Sequence, residues 1–190
     1  MNKTKFLFAS AAAAVAILIG SSNSNAQTNA PASDGDSKAT RLGIGLNAGI
    51  PTTDGYKFAF GGDLRLQKDF TSNVSGLLSV GYNTFSVDSE IYSAVTPAGE
   101  IVDNLDYIPV KVGLKVFPVQ RFYFSGEVGA AFPMRDGAKT AFVYAPGIGV
   151  GTNLGIDVGL RYEGMTGSAN LLSLKNPGQV ALRLAYGFSL

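Results

Sequence analysis

The stretch that decides the fold comes last: residues 179–190, QVALRLAYGFSL. Taken alternately, it sets Val180, Leu182, Leu184, Tyr186, Phe188 and Leu190 on one side and Gln179, Ala181, Arg183, Ala185, Gly187 and Ser189 on the other. Alternation of period two is the mark of a strand, whose successive side chains point to opposite faces. Here one face is continuously apolar and the other is small, polar and charged. Which face is buried separates a soluble β-protein from a membrane one.

The same alternation runs back to Arg41. It predicts strands over residues 41–50, 57–68, 74–85, 107–117, 121–132, 141–151, 154–164 and 179–190. The third is less regular, because Leu77 and Phe85 fall on the polar side, and the sixth contains Pro146, which has no ladder donor. Each strand has roughly ten to twelve residues, enough to cross a bilayer, which takes about 9–11 at a steep tilt. The connections 69–73, 118–120 and 152–153 are tight, whereas 51–56, 86–106, 133–140 and 165–178 are longer. Outer-membrane barrels show this asymmetry, with short periplasmic turns and long outer loops, so both termini are expected in the periplasm.

Three features favour the membrane over a soluble barrel or sandwich. First, aromatics on the apolar face are sorted by depth. Phe58, Phe60, Tyr82, Phe132, Phe142, Tyr144 and Tyr162 fall toward the long-loop end, and Phe122, Phe124, Tyr186 and Phe188 toward the short-turn end, with aliphatic residues between. Two aromatic girdles around an aliphatic band suit a bilayer with two interfaces. Second, the polar face is rich in Gly, Ser, Asn and Ala, as in Gly43, Gly45, Asn47 and Gly49, or Ala145, Gly147, Gly149 and Gly151. Such residues suit the crowded lumen of an eight-stranded barrel. Third, the strand charges Arg41, Lys57, Asp63, Arg65, Lys111, Lys115, Arg121, Glu127, Asp157, Arg161, Glu163 and Arg183 share one parity, and only Lys68, at a strand end, departs from it. An Arg or Lys facing lipid at mid-depth costs about 2–4 kcal/mol. The reading is an all-β, eight-stranded antiparallel up-and-down transmembrane barrel with its apolar face toward lipid.

The rest of the chain agrees. Lys3 and Lys5, the apolar run 6–20 and the small residues Ser24-Asn25-Ala26 read as a cleaved signal peptide over 1–26. Residues 27–40, QTNAPASDGDSKAT, read as a disordered periplasmic leader, followed by the barrel at 41–190. The chain has 15 Lys and Arg, 14 Asp and Glu, and no Cys or His. Removing Lys3 and Lys5 leaves 13 bases against 14 acids, a net charge of −1, which argues against nucleic acid as a partner.

The segments YIPVKVGLKVFP (107–118), RFYFSGEVGAAF (121–132), LGIDVGLRYEGM (154–165) and the C-terminal strand, with the signal peptide, resemble the small eight-stranded outer-membrane barrels of the OmpA/OmpX type, the "outer membrane protein beta-barrel domain" or "porin family" proteins. The resemblance covers essentially the whole mature chain. It implies a monomer in the outer membrane of a Gram-negative cell, exposed at the cell surface and inserted by the barrel-assembly machinery. One departure is the final residue: such chains often end in an aromatic, and this one ends in Leu190 behind Tyr186 and Phe188.

Without histidine, the catalytic constellations of barrel lipases, acyltransferases and proteases cannot be built, and His/Cys metal sites are excluded. No enzyme activity, cofactor or metal is expected. Asp63, Arg65, Lys111, Lys115, Glu127, Asp157, Arg161, Glu163 and Arg183 are expected to form a lumen charge network, with Asp157 and Glu163 neutralised by Arg161 and Arg183. A turn centred on Val119 would set Lys111 directly opposite Glu127, and Gly113, pointing inward, would tolerate Ser. Two functions remain: an anchor displaying outer loops, and a small passive pore. The anchor is favoured because large inward side chains, Tyr123 among them, should fill the lumen. The loop 86–106 carries Asp88, Glu90, Glu100, Asp103 and Asp106 and no Lys or Arg. It is the candidate interaction loop, for an extracellular partner with a basic surface, and the barrel should fold without it.

Overall fold

The computed structural model describes residues 39–87, 104–135, 138–152, 154–166 and 177–190. The signal peptide, the leader before Ala39, Asp88, Glu90, Glu100 and Asp103 of the candidate loop, and 167–176 of the 165–178 connection lie outside the described residues. Eight strands follow one another: β1 (Thr40–Pro51), β2 (Tyr56–Asp69), β3 (Val74–Val87), β4 (Leu105–Val116), β5 (Phe122–Pro133), β6 (Ala141–Gly151), β7 (Ile156–Thr166) and β8 (Gly178–Ser189). Thr40, expected to end the leader, is already the first residue of β1. Each strand pairs antiparallel with the next, and β8 closes on β1.

The closure is staggered. Paired residues lead from Phe188 through Leu42, Leu66, Leu78, Val112, Val128, Tyr144 and Gly164 back to β8 at Gly178, ten positions (188 − 178) from the start. With strand spacings near 4.7 Å and a rise near 3.3 Å per residue, that stagger tilts the strands by about 40°. A tilted strand of twelve residues then rises about 30 Å, enough to cross a hydrocarbon core.

The alternation resolves as the C-terminal strand requires. Leu182 is 54% exposed and its neighbour Arg183 4%. Ile44, Leu46, Val112, Leu114, Val128, Leu160 and Leu184 are exposed with Leu182 around the belt. An exposed apolar surface of this extent has no place in water and fits lipid. Leu77 and Phe85, the irregular residues of the third strand, are buried in the lumen.

Four expectations are corrected. Lys57 does not continue the inward charge series: a bulge between Tyr56 and Phe58 shifts the pairing, and Tyr56 packs on Phe85 with ring centroids 5.3 Å apart while Lys57 stays exposed. Arg121 is not a lumen residue. It is exposed in the turn before β5, with a left-handed φ of 73°. The seventh strand starts at Ile156, because Leu154 and Gly155 form a turn in which Gly155 takes φ 84°. Finally, Gly113 does not have room for Ser: a Cβ there would strike the Gly126 carbonyl and lie 2.8 Å from the Glu127 Cα.

The prolines mark local gaps. Between β6 and β7 the paired residues pass from Tyr144/Gly164 to Gly147/Arg161, skipping Ala145 and Pro146. Between β3 and β4 they pass from Val80/Val110 to Asn83/Tyr107, skipping Pro109. Proline has no N–H for the ladder, which accounts for both gaps.

Candidate functional site in the barrel lumen

The lumen is filled in tiers. At the short-turn end Arg41 pairs with Asp69 at 2.6 Å, and Asp69 also accepts hydrogen bonds from Ser75 (2.6 Å) and Gln67 (3.1 Å). Asp157, the second residue of β7, also lies toward that end, whereas Asp63 and Glu127 stand at mid-strand. Arg183 approaches Asp63 with two nitrogens, Nη2 at 2.6 Å and Nε at 3.0 Å, and Asn47 donates to the same carboxylate at 2.9 Å. Arg65 reaches Glu127 at 2.5 Å, and Ser79 donates to its other oxygen at 2.7 Å. Asp157 accepts from Lys115 and from the Tyr123 hydroxyl, both at 2.7 Å. The Lys115 ammonium also lies 3.9 Å from the Tyr123 ring centroid, a cation–π distance.

Glu163 is the hub of the next tier. It pairs with Lys111 and accepts from the Tyr107 hydroxyl (2.8 Å) and Asn83 (3.1 Å), while Gln179 and Arg161 stand at 3.5 Å. Toward the long loops the chemistry changes. Ala59, Phe85, Tyr107, Ala131, Ala141, Val143 and Met165 form one buried apolar cluster, flanked by Tyr56 and Leu105. Phe85 and Tyr107 stack there at 5.9 Å. Tyr107 joins the two regions, its ring in the apolar cluster and its hydroxyl on Glu163.

The sequence could assign these charges to the lumen but not to partners. Lys111 and Glu127 are not opposite each other. Lys111 faces Gly129, and Glu127 faces Gly113, two residues from the expected register. The turn over 117–121 is asymmetric, with Arg121 left-handed at its far end, so its centre falls beyond Val119. The ion pairs form across the lumen instead: Arg65 of β2 meets Glu127 of β5, and Lys111 of β4 meets Glu163 of β7. Arg183 turns to Asp63, with Asp157 only at 3.5 Å, and the principal cation of Glu163 is Lys111 rather than Arg161. In a narrow tilted barrel, long inward side chains meet on the axis more readily than along the wall.

The small residues make this possible. A Cβ on Gly45 would lie 2.7 Å from Arg183 Nη2, and one on Gly149 would collide with the Tyr123 hydroxyl. These glycines lie inside strands and give space to large neighbours, as inward glycines of a packed barrel should. Asn47, Asn83, Ser79, Gln179 and Tyr107 belong to the network as well; sequence reasoning set Asn47 and Gln179 on the polar face but gave none of the five a partner. Their inward parity was the available signal. The apolar cluster was missed as well; its signal was a set of inward-parity apolar residues, Phe85, Tyr107, Val143 and Met165, at one end of their strands.

On the outer face the expected girdle residues point away from the lumen. Phe58, Phe60, Tyr82, Phe124, Phe142, Tyr162, Tyr186 and Phe188 are exposed, and Phe122, Phe132 and Tyr144 half-buried. Several form ring pairs: Phe122 with Phe124, Tyr186 with Phe188, and Tyr144 with both Phe142 and Tyr162. Phe70, exposed in the turn after β2, adds an aromatic at the short-turn end. Asp106, the described acidic residue of the candidate loop, lies within β4, half-buried, and its carbonyl accepts from the Met134 amide at 2.9 Å.

A closed eight-stranded barrel with a polar, ion-paired lumen and an aromatic-edged apolar exterior defines a small outer-membrane barrel. The family model described as "Outer membrane protein beta-barrel domain" matches residues 11–188, and the chain belongs to that family. A comparison with curated proteins finds no match. Among solved structures, the chain is similar to Ail, the attachment invasion locus protein of Yersinia pestis, with a TM-score of 0.53 and 18% identity over 80% of this chain and 100% of that one. It is also similar to the outer membrane protein AlkL, determined in lipid bilayers, with a TM-score of 0.54 and 17% identity over 89% of this chain and 98% of that one. At these identities the likeness is one of fold.

Proposed function

We propose that this protein is a closed, non-enzymatic outer-membrane anchor whose barrel holds its long loops at the cell surface. The observation that carries this reading is the filled lumen: ion pairs cross it at successive levels, and an apolar cluster occupies the loop end. An eight-stranded barrel has little lumen to spare, and these side chains use it. The short turns then face the periplasm with both termini, and the loops over 86–106 and 165–178 are the surfaces offered to a partner. The carboxylates Asp157 and Glu163 are engaged by cations and tyrosines, an arrangement that leaves neither poised as an acid or base. Planar-bilayer recording of the purified, refolded barrel tests the reading. The anchor gives no discrete conductance steps across the usual voltage range; reproducible single-channel steps would establish the pore instead.

A further inference from the structure

The lumen charges do not balance, and the imbalance falls on one residue. Between the short-turn pair and the apolar cluster, the described lumen cations are Arg65, Lys111, Lys115, Arg161 and Arg183, five in all; the anions are Asp63, Glu127, Asp157 and Glu163, four in all. Four close pairs account for every anion: Arg65 with Glu127, Lys111 with Glu163, Lys115 with Asp157, and Arg183 with Asp63. Arg161 is the fifth cation. Its one ionic contact among the described residues is Nη2 at 3.5 Å from Glu163, a carboxylate already held by Lys111 and Tyr107. Its Nε and Nη1 are buried, in a side chain only 6% exposed, and have no hydrogen-bond partner among the described residues.

A buried charge without a counter-charge is among the most costly features a fold can carry. A guanidinium cannot relieve that cost by giving up its proton, and a water molecule would satisfy its N–H groups without cancelling the charge. The wall beside Arg161 is built of small residues. Its ladder neighbours are Gly147 on β6 and Ala181 on β8. A Cβ on Gly147 would lie 3.0 Å from the Arg161 Cβ and 3.1 Å from both the Leu160 carbonyl oxygen and the Ser125 hydroxyl oxygen, so any side chain there would crowd the base of Arg161.

We infer that the lumen binds one small monovalent inorganic anion, of halide size, against the Arg161 guanidinium, on one of its two unpartnered edges, Nε or Nη1. The anion completes the charge balance of the lumen and makes barrel stability depend on halide. This is independent of whether the barrel acts as an anchor or a pore.

The test uses the full barrel in neutral detergent at constant ionic strength, with sodium bromide exchanged for sodium gluconate, whose anion is too large to enter. Constant ionic strength removes general screening from the comparison. Binding of one anion to the folded state alone lowers the unfolding equilibrium constant about tenfold for each tenfold rise in free bromide above its dissociation constant. Arg161→Met should be insensitive to the exchange, and Arg161→Lys, which keeps the charge, should retain part of the dependence. If Arg161→Met does not fold, crystals of the parent grown in bromide decide the matter through the anomalous signal, expected beside Arg161. Equal parent stability in the two salts, equal bromide dependence in Arg161→Met, or bromide density absent from Arg161 would each overturn the inference.

Discussion

The two halves of the lumen fill the same space by different means. Around Asp63, Glu127 and Glu163 it is packed with charged side chains, each carboxylate held by a cation and further donors. Around Phe85, Val143 and Met165 it is packed like an ordinary core. Charged packing is demanding, because removing one partner strands the other; apolar packing loses only the contacts and volume removed. The difference teaches where this barrel is brittle. Its mechanical centre is ionic and cooperative, while the end nearest the long loops tolerates graded change.

The sharpest way to break that contrast is at the Glu163 hub. Glu163→Leu leaves Lys111 without its close anion and removes the acceptor of Tyr107 and Asn83. It should cost about 3–5 kcal/mol, read as a large fall in the unfolding midpoint of the heat-modifiable folded band. Lys57→Leu, at the exposed rim, should cost no more than about 1 kcal/mol in the same assay. Similar effects at the two sites would mean that the ionic tier is not the brittle one. Next in size is the lipid face. Val112 stands in the belt between Leu78 and Val128. Val112→Arg should cost about 2–4 kcal/mol and lower the yield of assembled barrel in the outer-membrane fraction. The smallest effect belongs to the apolar half. Val143→Ala removes two buried carbons and should cost about 1.5–2 kcal/mol. A loss matching that of Glu163→Leu would erase the distinction between the two halves.

Strand number and face assignment were legible in the sequence because both depend on a period-two pattern that lipid and lumen enforce along every strand. Register was not legible to the residue. It depends on turn geometry, and the left-handed conformation of Arg121 moved the β4–β5 pairing two residues from a symmetric turn. Nor could partner choice be read. The pairs join strands that are distant both in sequence and around the wall, as Arg65 and Glu127 show, and only the stagger of the closed barrel brings them together. The bulge at Tyr56/Phe58 hid Lys57 from a parity argument for the same reason: one extra residue reverses the alternation beyond it. The apolar cluster was obscured because inward Phe85 looked like noise in a polar face until Tyr107, Val143 and Met165 were seen at the same level.

The most direct test of the inside-out arrangement uses the absence of tryptophan from the chain. Leu182→Trp places a single tryptophan, excited selectively over the tyrosines, on the exposed face of the C-terminal strand, next to buried Arg183. Reconstituted in vesicles of brominated phosphatidylcholine, it should emit at short wavelength, be strongly quenched by the lipid bromines and be nearly insensitive to aqueous acrylamide. Emission quenched by acrylamide and untouched by brominated lipid would contradict the assignment of the apolar face to the bilayer.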